Sequence, residues 1–250
     1  MLSKVVIELK GETEDINFRA GSVFQGALME VADASYVEVL HTLPINPYSQ
    51  YVLRDEDKYT WTISTLTKEA FEKLIVPLLQ KDEIILRHKD LKLKLKDKSL
   101  VQVPKEKIVE ETLFSMEEFT DFTFKFVTPT SFKSEGRYVN MPSVRLLLRS
   151  VLNKFDAFGE EMLLDDELTE QMIYHTYFSR FRLYSSSYPL ESVRIPSFIG
   201  RVDLRSSGGP EMKRVLKLIE MFSEYSGVGI KCSMGMGGII SGGDDVEGKN

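Results

Sequence analysis

The sequence has 250 residues and a mass of 28.6 kDa, enough for one large domain or two small ones. Apolar residues make up 42% and charged residues 28%, a globular composition that excludes a disordered or collagen-like chain. No stretch approaches about 18 consecutive apolar residues, and the first residues lack the apolar core of a signal peptide. The single cysteine, Cys232, excludes an internal disulfide and a multi-cysteine zinc site. We therefore expect a cytoplasmic protein without membrane association.

The net charge of −6 is distributed unevenly along the chain. Residues 1–122 carry the whole excess of acidic side chains, whereas residues 123–250 contain equal numbers of basic and acidic ones. Within 176–217 there are eight basic and three acidic residues, so this stretch has a local charge of +5. An acidic protein ordinarily repels polyanions. A local basic face can still bind them, because phosphate contacts act within a Debye length of about 10 Å.

In the first half of the chain, the hydrophobic pattern predicts the element order β-α-β-β-α-β. Apolar residues recur at spacings of three, four and seven across the first helix, with a break in that pattern near Asp33. Thr67 is placed to cap the second helix, and alternating lysines over 92–96 indicate an edge strand. The predicted elements are, in chain order, a strand over 4–9, a helix over 21–41, strands over 50–53 and 58–64, a helix over 68–80, and strands over 84–86 and 91–95.

The second half repeats this order with one inserted helix, over 166–174. Pro210 falls in the first turn of the last helix, where proline is favoured. The remaining predicted elements are a strand over 123–127, a helix over 143–155, a hairpin of strands over 178–186 and 193–205, a helix over 210–225, a glycine-punctuated strand or loop over 228–240, and a frayed tail over 241–250.

The order β-α-β-β-α-β is that of the ferredoxin-like fold. We therefore predict an α+β protein made of two tandem ferredoxin-like (RRM-like) domains, one over 1–122 and the other over 123–250. No linker rich in proline, glycine or serine separates the two halves, so we expect them to pack tightly.

Several motifs that mark a cofactor or a metal are missing from the sequence. It has no Gly-x-x-x-x-Gly-Lys-Ser/Thr run, and Gly227-Val228-Gly229 lacks a third glycine at dinucleotide-binding spacing. It has no His-Glu-x-x-His pattern, and its three histidines lie far apart in the chain. We therefore expect no cofactor and no metal site.

His41 is the most informative single residue. It ends the first predicted helix just before the proline-containing segment 44–47, which places it at the mouth of a loop. Histidine exchanges protons near neutral pH, so His41 is a candidate catalyst. The alternative is a histidine that only interacts with the helix dipole, and the residues alone leave both interpretations open. His88, in a charged strand, and His175, at a helix end, fit surface or packing roles.

A second feature is the glycine-rich run from Gly227 to Ile239, which also contains Lys231 and Ser233. Glycine lets backbone amides approach a phosphate without a Cβ in the way, so the run can bind an anionic backbone. The alternative is a bent, weakened strand.

A third feature is the segment 128–138, which joins a strand to an extended stretch. It carries the cations Lys133 and Arg137 together with hydroxyls and two aromatic rings. Such a mixture can stack bases and hold phosphates. An ordinary polar loop is the alternative, and the segment taken alone favours it.

The three features together resemble a known family. The run from Gly227 to Ile239 resembles the signature glycine-rich loop of the CRISPR-associated repeat-processing endoribonucleases, the sixth Cas family. Residues 128–133, followed by Tyr138, Pro142 and the helix over 143–155, are similar to that family's second domain, and 36–48 resembles its catalytic-histidine region. The resemblance covers essentially the whole chain and is closest to members that serve type III-A systems.

The resemblance implies a metal-independent endoribonuclease that cuts CRISPR precursor RNA once in each repeat and leaves a repeat-derived 5′ handle on each guide. The 2′-hydroxyl upstream of the break would attack the adjacent phosphorus, giving a 2′,3′-cyclic phosphate and a 5′-hydroxyl. His41 would be the general acid or base. Some relatives add a tyrosine on the first helix and a lysine after the histidine, which residues 26–29 and 42–47 lack here. Tyr48, Arg54 and Lys231 are candidates for a second group, with Tyr48 placed first.

The implied partner is CRISPR repeat RNA, with transient association with a type III-A effector complex and a monomeric or homodimeric state. Two alternatives stay open: a non-cleaving RNA-binding module of the same fold, and an interaction subunit of a larger ribonucleoprotein. The residues expected to contact RNA are Lys133, Arg137, Arg180, Arg182, Arg194, Gly229, Lys231, Ser233, Gly235 and Gly237.

Overall fold

The computed structural model describes residues 1–11, 16–55, 58–87, 90–158, 165–190 and 193–242. His88, residues 56–57 and all but the first two residues of the expected tail therefore lie outside the described residues. Among the helices within these ranges, none is long and apolar enough to cross a membrane.

The first half forms a five-stranded antiparallel sheet in the order β2-β3-β1-β5-β4. Its strands are β1 (Leu2–Lys10), β2 (Tyr48–Asp55), β3 (Lys58–Thr65), β4 (Glu83–Leu86) and β5 (Leu91–Val103). Its helices are α1 (Gly21–Val31), α2 (Ala34–Thr42), α3 (Lys68–Ala70), α4 (Val76–Leu79) and α5 (Lys105–Leu113), with a π-helical turn over Phe71–Ile75 between α3 and α4.

Strand alternation explains where the first core forms. Val5, Ile7 and Leu9 point to one face of β1 and are buried against helical residues such as Phe24 and Leu28. Burying these side chains supplies the main driving force for this half, about 1.5–3 kcal/mol for each large apolar side chain. The core therefore fixes α1 and α2 on one face of the sheet.

The break in the helical pattern at Asp33 is a true helix boundary. The Asp33 carboxylate accepts hydrogen bonds from the Tyr36 amide (3.2 Å) and the Ser35 hydroxyl (2.5 Å), which caps α2. These hydrogen bonds and the nearby Lys73 ammonium lower the pKa of Asp33 to about 2. Two helices replace the single helix predicted over 21–41, and His41 lies in the last turn of the second.

The second half forms a four-stranded antiparallel sheet in the order β11-β6-β10-β9. Its strands are β6 (Phe122–Thr130), β9 (Thr176–Leu190), β10 (Val193–Ser206) and β11 (Ile239–Ser241), with a separate small hairpin of β7 (Phe132–Ser134) and β8 (Arg137–Val139). Its helices are α6 (Val144–Phe158), α7 (Asp166–His175) and α8 (Pro210–Ser226). Both sheets have the strand order of a ferredoxin-like fold, with β4 added at the edge of the first, so the predicted fold class is confirmed.

The two halves meet along α8. The Ser49 hydroxyl of β2 donates to the Tyr225 carbonyl (2.7 Å), and Lys4 of β1 forms an ion pair with Glu224 (2.6 Å). Ile108 of α5 is buried in the core of the second half. The division of the chain near residue 122 stays a prediction.

Three details differ from the sequence-based expectation. Helix α5 was not predicted. The segment 128–138 begins with the last three residues of β6, and the rest of it enters the hairpin β7–β8 rather than a loop. The lysines over 92–96 do not protect an edge where β4 pairs with β5, because β4 itself forms the edge there. They occupy the exposed face of β5, while Leu93 and Leu95 between them are buried.

Candidate functional site

The glycine-rich loop, residues 227–238, connects α8 to β11 and contains a short 3-10 helix over Cys232–Met234. Gly227, Gly229, Gly235 and Gly237 all have positive φ angles, between 65° and 98°. Glycine adopts this conformation without the steric cost that other residues incur. The loop is therefore an ordered turn, and its glycines are required by its backbone path.

The backbone amides of all four glycines donate within the protein, that of Gly227 to the Ser223 carbonyl (2.8 Å). Gly229 donates to the Ser150 hydroxyl (2.7 Å), Gly237 to the Pro129 carbonyl (3.1 Å) and Gly235 to the Cys232 carbonyl (3.4 Å). A Cβ on Gly235 would lie 2.7 Å from the Cα of Gly21, in the first half. Positive φ and close packing therefore account for these glycines better than amides that point at a phosphate. Their direct contact with RNA stays a prediction.

A buried lysine of α6 holds the start of the loop. Lys154 is 9% exposed, and its ammonium donates to the carbonyls of Ser226 (3.2 Å) and Gly227 (2.9 Å) and to the thiol sulfur of Cys232 (3.1 Å). Ser150, which accepts the amide of Gly229, lies one helical turn before it on the same face. Two side chains of α6 thus fix the loop where it leaves α8. The Lys154 ammonium lies at the C-terminal end of α8, where the helix dipole is negative.

The other side of the loop is bound to the first half of the chain. The Gln50 side-chain amide donates to the carbonyls of Ser233 (3.1 Å) and Gly21 (2.7 Å), and its oxygen accepts from the Trp61 indole (2.8 Å). The Tyr188 hydroxyl donates to the Met234 carbonyl and accepts the amide of Ser22 (3.2 Å). The loop therefore lies at the junction of the two halves.

The segment after His41 reaches this same junction. His41 is exposed in the last turn of α2, and Asn46 donates from its side-chain amide to the Ser233 hydroxyl (3.4 Å). Tyr48, the first residue of β2, is buried, and its hydroxyl accepts from the Gln25 amide (3.1 Å). Burial raises the pKa of Tyr48, against the lowering effect of hydrogen bonds with Gln25 and Ser233. Its hydroxyl thus stays protonated at neutral pH and can donate a hydrogen bond but cannot act as a base.

The predicted cations occupy two other surfaces. Lys133 and Arg137 are exposed on β7 and β8, which are joined by a turn in which Glu135 and Gly136 both have positive φ. Arg180 and Arg182 are exposed on β9, and Arg194 is exposed near the start of β10. Among the predicted RNA-contact residues, Ser233 contacts the segment after His41 through Asn46, and Lys231 and the glycines belong to the same loop as Ser233.

Sequence reasoning missed the side chains that hold the loop: Ser150, Lys154, Gln50 and Tyr188. A signal for two of them was present, since Ser150 and Lys154 are polar residues one turn apart in a helix that is otherwise strongly amphipathic. His175 contacts the Ser207 hydroxyl through Nδ1 (3.2 Å), which agrees with a packing role. Within the described ranges, no three or more His, Cys, Asp or Glu side chains are grouped so that they could hold a metal ion.

Comparison with known proteins places this arrangement in one family. Residues 124–239 match the family model described as CRISPR-associated endoribonuclease Cas6. A CRISPR-associated endoribonuclease Cas6 of Streptococcus thermophilus is 35% identical over 219 residues, which is 86% of this chain and 88% of that protein. A protein of the same name from Mycobacterium tuberculosis (strain CDC 1551 / Oshkosh) is 34% identical over 224 residues, 88% of this chain and 70% of that protein.

Solved structures agree on the fold. A product complex of a Thermus thermophilus Cas6 protein superposes with a TM-score of 0.80 at 24% identity, covering 96% of this chain and 100% of that one.

Proposed function

This chain belongs to the Cas6 family of CRISPR-associated endoribonucleases, and we propose that it cuts CRISPR precursor RNA once within each repeat to release guides that carry a repeat-derived 5′ handle. The observation that carries this proposal is the contact of Asn46 with Ser233. This contact joins the segment that follows the exposed His41 to the glycine-rich loop, which is the motif that resembles the family's signature.

His41 is the proposed general acid or base. Its ring is exposed, so an RNA lying across the junction can reach it. The 2′-hydroxyl upstream of the cut attacks the adjacent phosphorus, and the bond from phosphorus to the 5′-oxygen of the next nucleotide breaks. The products are a 2′,3′-cyclic phosphate and a 5′-hydroxyl. A positioned imidazole that removes or delivers the proton accelerates such a step by roughly 10²–10⁴-fold.

Tyr48 is proposed to support the site through its hydroxyl rather than as a base. The neutral phenol, hydrogen-bonded with Gln25 and Ser233, connects α1, β2 and the glycine-rich loop. In this arrangement Tyr48 is a positioning residue for the segment that carries His41.

RNA binding is proposed to involve the loop and the cations of the second half. Lys231 is exposed at the start of the 3-10 helix over Cys232–Met234, where its ammonium can reach a phosphate beside the junction. Lys133, Arg137, Arg180, Arg182 and Arg194 extend the positive surface away from it. The second half therefore supplies most of the electrostatic attraction to RNA.

The proposed enzyme is cytoplasmic and works as a monomer or homodimer without a cofactor or metal. It delivers its guides to a type III-A effector complex through transient association. The proposed division of labour places the catalytic histidine in a first domain (1–122) and the RNA-binding loop in a second (123–250).

The test is to incubate the protein with the repeat RNA of its own locus in EDTA and to map both ends of each product. A single cut per repeat with a 2′,3′-cyclic phosphate and a 5′-hydroxyl is the expected result. Binding in a gel shift without any cleavage would identify a non-cleaving RNA-binding module instead. Failure to bind as well as to cleave would identify an interaction subunit.

A further inference from the structure

The second sheet buries one face and leaves the other exposed. Phe124, Phe126 and Val202 point into the core beneath α6 and α8. The residues between them point outward, because side chains alternate along a strand. Arg201 of β10 is paired with Lys125 of β6 on one side and with Arg182 of β9 on the other. Residues directly opposite in antiparallel strands share a face, so these three cations form a row across the sheet.

Two half-exposed tyrosines lie on the same face of β9, although they are seven residues apart, because a bulge in the pairing between Asp203 and Leu204 of β10 shifts the alternation. Tyr184 is 58% exposed and pairs with Ile199, while Tyr177 is 51% exposed and pairs with Arg205. Arg180 and Arg182 lie between the two rings. The stretch from Tyr177 to Tyr184 covers roughly 20 Å at about 3.3 Å per residue. Two aromatic rings therefore flank two guanidinium groups along an exposed edge strand.

The charge of this face suits a polyanion. Asp203 of β10 places a carboxylate on this face. That carboxylate accepts hydrogen bonds from the Arg201 guanidinium (2.8 Å) and from the Thr123 hydroxyl (2.8 Å). Arg205 is paired with Asp121 (2.7 Å), just ahead of β6. The side chains of Lys125, Arg180 and Arg182 are exposed to solvent. Phosphates that approach the face thus meet an excess of positive charge.

Exposed rings beside cations favour one form of RNA. In a duplex the faces of the bases are stacked on each other, whereas unpaired bases can be splayed out and stacked on aromatic side chains. A four-stranded sheet of this fold class can hold two or three such bases. The tyrosines would add little to the binding of a paired stem, which is contacted through its phosphates.

We propose that this outer sheet face (Lys125, Tyr177, Arg180, Arg182 and Tyr184) binds an unpaired segment of the RNA, with bases stacked on the two tyrosine rings and phosphates on the cations. The inference rests on the proposed function, since that function supplies the RNA. It adds a second contact surface, built on β9 and β6, which continues along β9 toward Tyr188 at the junction.

The direct test measures the affinity of the full chain for a fluorescent 12-nucleotide oligouridine. Because each base–aromatic contact contributes appreciably to affinity, the double variant Tyr177→Ala/Tyr184→Ala is expected to bind it at least fivefold more weakly. The pair Tyr177→Phe/Tyr184→Phe keeps both rings and is expected to bind within about twofold of the wild type. Tyr174→Ala is the matched control, since this tyrosine is 85% exposed but lies on α7.

The same variants are then tested with a blunt RNA duplex, for which the alanine pair is expected to lose less than twofold. Unchanged oligouridine affinity in the folded alanine pair, or an equal loss for duplex and single strand, would overturn the inference. Repeat cleavage by the wild-type protein is assayed in parallel. Its absence would overturn the proposed function, while the oligouridine measurement still decides whether the outer sheet face binds RNA.

Discussion

The side-chain amide of Asn46 donates to the hydroxyl of Ser233 at 3.4 Å, across 187 residues of sequence. Through this contact the segment that follows His41 is attached to the glycine-rich loop. The loop is held in turn by Gln50 from the first half and by Lys154 from the second. The segment that carries the exposed histidine and the loop therefore meet at one junction, which supports the proposal that an RNA phosphodiester is aligned there.

The first prediction concerns His41. His41→Ala is expected to lower the single-turnover cleavage rate by about 10²–10⁴-fold, because it removes a proton-transfer group. RNA affinity is expected to stay within a few-fold of the wild type, since one exposed ring contributes little to phosphate contacts. Rates and gel-shift affinities on the same repeat RNA are the measurement. His175→Ala is the control, because His175 ends α7 and its ring contacts the Ser207 hydroxyl. Cleavage at the wild-type rate in His41→Ala would remove the assignment.

The sequence could predict the local parts of this site but not the contacts between residues that are distant in the chain. The candidate histidine and the glycine-rich run are local patterns, and both are visible in the sequence. The contacts that join them are not. Gln50 lies in a strand whose pattern predicts only burial, yet its amide reaches carbonyls of two separate segments. Such a role depends on tertiary placement, which no local pattern encodes.

The second prediction separates two glycines by their surroundings. Gly235→Ala is expected to lower the free energy of unfolding by about 1–3 kcal/mol, because Gly235 has a φ of +98° and its Cβ would press on Gly21. Gly26→Ala is expected to raise it by about 0.5–1 kcal/mol, because Gly26 is an exposed residue of α1 with nothing within 4 Å of its Cβ. Urea unfolding measures both. Equal stabilities of the two variants would contradict the packing described for the loop.

The third prediction concerns Lys154. Lys154→Met relieves the desolvation of a buried ammonium but removes a donor from two carbonyls and from the Cys232 thiol. The loss is expected to lower the free energy of unfolding by about 1–3 kcal/mol. Alkylation of Cys232 under native conditions is expected to accelerate, because the loop over the thiol loosens. Lys107→Met is the control, since Lys107 is exposed and forms an ion pair with Glu111 one turn away. Unchanged Cys232 reactivity would show that Lys154 does not hold the loop.

The fold was more accessible to sequence reasoning than the site, and the exceptions have physical causes. Helix α5 was missed because it is short and mostly exposed, with Ile108 as its buried apolar contact to another part of the chain. The pattern over 92–96 correctly indicated one wet face. It could not show that β4 would pair alongside, because alternation reports which face is buried and not which strands are neighbours.

The fourth prediction tests the positive surface on β9. Arg180→Glu/Arg182→Glu is expected to weaken repeat-RNA binding and to flatten its salt dependence by about one to two units of slope, because each lost phosphate contact removes about 0.7–0.9 units. The control is Lys68→Glu/Lys107→Glu, which changes the net charge equally but on exposed lysines of the acidic first half. Affinity measured across a salt series distinguishes the two. An equal effect of both pairs would mean that net charge alone governs binding.

The last prediction concerns the nucleophile. The 2′-hydroxyl of the nucleotide upstream of the cut is already adjacent to the phosphorus, so it needs only alignment and removal of its proton. A single 2′-deoxy substitution at that nucleotide is therefore expected to abolish cleavage. Binding is expected to change less than twofold, because the substitution deletes one hydroxyl among many contacts. Moving the substitution one nucleotide downstream provides the control and is expected to leave the rate intact.

Three results would show that the nucleophile lies elsewhere: cleavage of the deoxy substrate, a product that ends in a 3′-hydroxyl, or complete loss of activity in EDTA. The first two require attack by water, because no cyclic phosphate can form without the 2′-oxygen. In that mechanism His41 would act on the leaving oxygen alone, which is the 3′-oxygen where the product ends in a 3′-hydroxyl. The deoxy substrate would then be cut at the wild-type rate, and His41→Ala would slow the cleavage of both substrates equally.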